Sequence, residues 1–200
     1  MDGAIGARNA LLLACAALLA MLFLIMFNPD GAAAVTAIGG LVSESAPNEL
    51  ALRLALACDT VLPIGYASGF CLLAFALGNR AAEPSNTHVM AIVLMTALGV
   101  GADFVENGAA LADQSLTQAT VLKFGALGVA LHFLGHALDL NVPTGRILRL
   151  LLCYVTPLFL AVVLSGLAGA LTLWLFVLTL LGSFLMLAYY ANGLAKDRTV

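Results

Sequence analysis

HVMAIVLMTALGVGADFVENGAAL, residues 88–111, decides the fold. At about 1.5 Å per residue such a run crosses a hydrocarbon core of roughly 30 Å. It carries no formal charge from Val89 to Ala102. Then Asp103 and Glu106 appear one helical turn apart, on one face, with Asn107 next to Glu106. A charge within hydrocarbon costs roughly 2.5–3.5 kcal/mol on insertion scales, so it demands a partner or a role. The stretch therefore reads as a transmembrane helix that brings acids inside the membrane.

Similar runs flank it. With 88–111 they give about six transmembrane helices at 9–27, 54–77, 88–111, 117–140, 147–167 and 171–191. The expectation is an all-α, polytopic membrane bundle forming a single integral membrane domain over residues 1–200. Asn28-Pro29-Asp30-Gly31, Asn141-Val142-Pro143 and Asn192-Gly193 punctuate the ends. The connection 28–53 is apolar from Ala32 to Val42 and polar from Ser43 to Asn48, the pattern of an interfacial or re-entrant helix. Arg8, the apolar run after it and Ala32-Ala33-Ala34 mimic a secretory signal. That run is about 19 residues, longer than a signal's apolar core, so a retained first helix is expected.

Composition agrees. The chain is 62% hydrophobic and 10% charged, where a soluble domain carries about 25% charged residues. Eight Lys and Arg against eleven Asp and Glu, scattered, give no basic patch for nucleic acid, which is excluded as a partner. Membrane lipid is the obligatory partner, and a homo-oligomer or a larger complex is the expected assembly. Arg8, Arg80, Arg146, Arg149, Lys196 and Arg198 fall on the side of both termini, and only Arg53 and Lys123 fall toward the other. The positive-inside rule then puts both termini in the cytoplasm of a bacterial inner membrane, with 28–53 and 112–116 outward. Cys15, Cys58, Cys71 and Cys153 form no Cys-x-x-Cys pair and read as small buried hydrophobes. Pro63 and Pro157 should kink the second and fifth helices. Gly99, Gly101, Gly125 and Gly128 should line the seam of the third and fourth.

Register arithmetic gathers the intramembrane charges. In a hairpin centred near Asp113, Glu106 and Lys123 lie equally deep, and Asp103 lies one turn deeper than Glu106. Counting from the 78–88 connection puts Asp59 at the depth of Glu106 and Asn107. Tyr66 follows Asp59 by two turns on the same face. Three carboxylates against one ammonium carry an excess of negative charge that protons or a cation must balance. Asp59, Tyr66, Asp103, Glu106, Asn107 and Lys123 are thus the expected site for a proton, a cation or a small polar ligand, with no cofactor required. A staple locking the hairpin is the structural alternative. Asp59-x-x-x-Pro63-x-x-Tyr66, Asp103-Phe-Val-Glu106-Asn107 and Lys123 resemble a pattern found in small bacterial integral membrane proteins without an established activity. The resemblance covers about residues 55–130 and implies no mechanism.

The histidines lie at the other side. His132 and His136 are four apart on one helix face, a spacing that suits a metal, with Asp139 one turn on and His88 at the start of the third helix. This pattern is similar to that of ceramidase-like intramembrane hydrolases, which use a His-x-x-x-His pair, a third His, an Asp and a Ser. The resemblance implies zinc on His88, His132, His136 and Asp139, with Ser68 or Ser85 nearby. It departs from that family in having six helices rather than seven and in placing His88 about five residues shallower than His136. Gly65-Tyr66-Ala67-Ser68-Gly69 overlaps a rhomboid-type stretch in the wrong helices. Trp174, Phe176, Phe184, Tyr189 and Tyr190 on the sixth helix read as a lipid-facing surface with an interfacial belt.

Overall fold

The computed structural model describes residues 2–28, 30–31, 34, 48–78, 86–111, 117–164 and 170–196. The expected interfacial helix at 32–42 apart from Ala34, the 112–116 loop, Arg80, Ser85 and Arg198 lie outside them. Apart from short turns the described residues are helical, with no strand among them, and form a helical bundle. Its elements are α1 (Asp2–Phe27), α2 (Glu49–Gly78), α3 (Asn86–Leu111), α4 (Thr117–Ala137), α5 (Pro143–Leu150), α6 (Thr156–Leu164) and α7 (Ala170–Lys196). A π-helical turn, Leu151–Val155, joins α5 to α6 into one span. Six helices are then long and apolar enough to cross a membrane, and the chain is a multi-pass membrane protein.

The spans pack antiparallel, through small residues where backbones approach. Lipid is as apolar as leucine, so association depends on close packing rather than on apolar burial. A Cβ on Gly65 would lie 2.8 Å from the Ala14 backbone nitrogen and 3.0 Å from the Ala10 carbonyl oxygen, and one on Gly69 would lie 2.6 Å from Leu11. With Gly6 against Leu72, these contacts fix the register of α1 on α2. At the termini end, Arg8 donates to Asn192 of α7 at 3.1 Å. Across the middle, Tyr66, Phe70 and Phe184 form a ring cluster with centroids 5.6–6.3 Å apart.

Several expectations need correction. Phe176, Phe184 and Tyr190 are buried in the core rather than lipid-facing, while Trp174 and Tyr189 are exposed as expected. The reason is that α7 packs along α1 and carries the core face opposite α2. Of the four glycines, Gly99 alone meets α4, at the Lys123 carbonyl and Ala126. Gly128 turns to Leu160, and Gly101 and Gly125 meet nothing. Pro63 lies inside the continuous helix α2, a continuity that a proline kink does not interrupt. The fifth span does change form before its proline. Pro157 has no N–H for the Cys153 carbonyl, and in a regular α-helix its ring would crowd that oxygen; the wider π turn Leu151–Val155 precedes it.

Candidate functional site

Helices α2, α3 and α4 bring the predicted charges together near the end opposite the termini. The Lys123 ammonium donates to Glu106 Oε2 at 2.7 Å and pairs with Asp103 Oδ1. The Thr120 hydroxyl donates to Glu106 Oε1. Asp103 and Glu106 are each 2% exposed and Lys123 is 9% exposed, so water does not screen the pairs. The expected level placement holds. Three residues separate Asp103 from Glu106 and Thr120 from Lys123, so each helix turns two polar groups to the shared seam.

Asp59 completes the group differently. It is 5% exposed and lies within electrostatic reach of Lys123 and Glu106, against Asn107. The Asn107 amide is the neighbour placed to donate to the Asp59 carboxylate, but neither Asp59 Oδ2 nor the Asn107 amide makes a well-formed hydrogen bond among the described residues. Tyr66 is buried in reach of both Asp59 and Asp103, and its hydroxyl is equally unpartnered there. A buried polar atom without a partner costs about 1–3 kcal/mol, so the incompletely bonded groups of Asp59, Asn107 and Tyr66 leave capacity for a ligand there. Acceptors (Asp59, the Asn107 carbonyl) and donors (the Asn107 amide, Tyr66) are both present. Thr120 was missed in the sequence, although its place one turn before Lys123 was the available signal.

The histidine side assembles another set. The rings of His132 and His136 are 4.7 Å apart between centroids. Their nearest ligand atoms and Cys153 Sγ all lie within 4.8 Å of one another. His88 and Asp139 are not in this set. The His88 ring meets the edge of Phe133, with centroids 5.6 Å apart. Asp139 Oδ1 accepts from the Asn141 backbone N–H at 2.8 Å, within its own turn. Ser68 is exposed on α2, turned away from the core. Cys153 was read as a buried hydrophobe. Its signals were its equal distance with His132 from the 142–143 turn and its place four residues before Pro157.

No protein-family model, curated protein or solved structure matches the chain.

Proposed function

We propose that the α2–α3–α4 cluster is an intramembrane binding site for a small cation, the proton included, and that the protein moves or senses that cation from the end opposite the termini. The observation that carries the reading is Asp59. Lys123 makes its direct ion pairs with Asp103 and Glu106, and Asp59 faces the same ammonium without one, sealed from water beside Asn107 and Tyr66. A pure staple needs one acid per base. Three acids on one base leave two negative charges for a ligand to balance.

In this reading Asp59 takes the cation, and the Asn107 and Tyr66 oxygens complete its shell. Glu106 and Asp103 share Lys123 as the counter-charge, and Thr120 holds Glu106 in place. A small polar ligand carrying an amine would meet the same partners. Arg8, Arg146, Arg149 and Lys196 at the termini end support a cytoplasmic placement of that end in a bacterial inner membrane, and in this reading the site opens outward.

The test is flux into proteoliposomes carrying a pH-sensitive dye, driven by a potassium diffusion potential or a sodium gradient. Wild-type protein is expected to change the lumen pH, and Asp59→Asn to fall to the leak of protein-free vesicles. Unaltered flux in Asp59→Asn overturns the assignment of Asp59. Wild-type flux no greater than the leak under either gradient overturns transport.

A further inference from the structure

We propose that His132, His136 and Cys153 form a site for a thiophilic transition-metal ion, zinc or copper in class, where α4 meets the π turn after α5, and that Arg149 competes with the metal for His136. The site is independent of the cation cluster on α2, α3 and α4.

The set is built by the backbone on both sides. On α4 the two histidines are one turn apart on one face, and Gly135 lies between them. A Cβ at Gly135 would come within 2.6 Å of Cys153 Sγ, so the glycine leaves the niche into which the thiol points. On the other side, the π turn Leu151–Val155 aims Cys153 at α4, and Cys153 Sγ donates to the His132 carbonyl oxygen at 3.4 Å. π turns recur at functional sites because they redirect side chains in this way.

The donor set is chemically selective. Two imidazoles and one thiolate with no carboxylate favour soft or borderline ions over magnesium or calcium. Donors about 2.0–2.3 Å from a tetrahedral metal lie about 3.3–3.8 Å from one another. The three atoms here lie within 4.8 Å, so small rotations of two exposed histidines close the site. Cys153 is buried, and three ligands leave a fourth position for an outside ligand.

Arg149 Nη2 lies 2.9 Å from His136 Nδ1. A guanidinium only donates, so Nδ1 accepts and the neutral ring carries its proton on Nε2. A metal on Nδ1 must displace Arg149, and a metal on Nε2 must displace the proton that Arg149 holds there. By either nitrogen, metal and arginine exclude each other.

The experiment is titration of the purified full-length protein in detergent with cobalt(II), read by its thiolate charge-transfer and d–d bands, followed by zinc competition. One cobalt per chain with a thiolate band is expected, displaced by zinc. Cys153→Ser should lose the thiolate band, and His132→Ala and His136→Ala should each weaken binding at least about tenfold. Arg149→Gln should bind more tightly than wild type. The proposal is overturned if neither wild type nor Arg149→Gln binds one metal per chain. It is also overturned if the thiolate band persists in Cys153→Ser. Looser binding in Arg149→Gln would overturn the competition and leave Arg149 as support for the site.

Discussion

Lys123→Met is expected to destabilise the protein by about 3–5 kcal/mol, because it leaves the Asp103 and Glu106 carboxylates sealed without their common cation. Thermal unfolding in detergent should show the loss directly, as an early transition or as failure to accumulate folded protein. The compensating variant separates charge from packing. Lys123→Met combined with Asp103→Asn and Glu106→Gln removes the whole ionic set and should recover most of the loss, since neutral isosteres cost little where a broken pair costs much. If the triple variant is as unstable as the single one, the lysine acts through its packed stem rather than its charge.

The second large effect belongs to the α1–α2 seam. Gly65→Val should cost about 3 kcal/mol or more, as overpacking against a rigid neighbour does. A Cβ there meets the backbone of Ala14 and Ala10 rather than a movable side chain, so α1 must lift off α2 and the contacts at Gly69 and Gly6 loosen with it. Gly101→Ala is the matched control, because its Cβ meets nothing within 4 Å. That variant should leave the unfolding temperature unchanged or raise it. Because helix propensity favours both substitutions, a loss at Gly101→Ala as large as that at Gly65→Val would overturn the assignment of the effect to the α1–α2 seam.

The sequence made the helices legible because span length and apolar content are set by the bilayer, and Asp103, Glu106 and Lys123 were legible because charge inside such a span is costly. Their common depth followed from hairpin counting, and the Glu106–Lys123 contact bears that out. What counting could not supply was azimuth. Phe184 and Tyr190 look like lipid-facing aromatics until α7 is rotated against α1, and Gly101 looks like a seam glycine until α3 is rotated away from α4. Cys153 was hidden for a related reason. Its direction depends on the π turn before Pro157, and a change of one residue in the helical period turns a side chain by about a hundred degrees. Asp59 was found by depth, but only the structure distinguishes it from the two acids that Lys123 serves.

That distinction is the central claim, and the unfolding temperature of Asp59→Asn beside wild type in one detergent tests it most directly. Asp59 lies within electrostatic reach of Lys123 but outside its two direct ion pairs, and its Oδ2 lacks a hydrogen-bond partner among the described residues. An acid kept for a ligand weighs against the fold. Asp59→Asn should therefore unfold at the same temperature as wild type or higher. A fall comparable to that of Lys123→Met would make Asp59 a member of the staple and contradict the account.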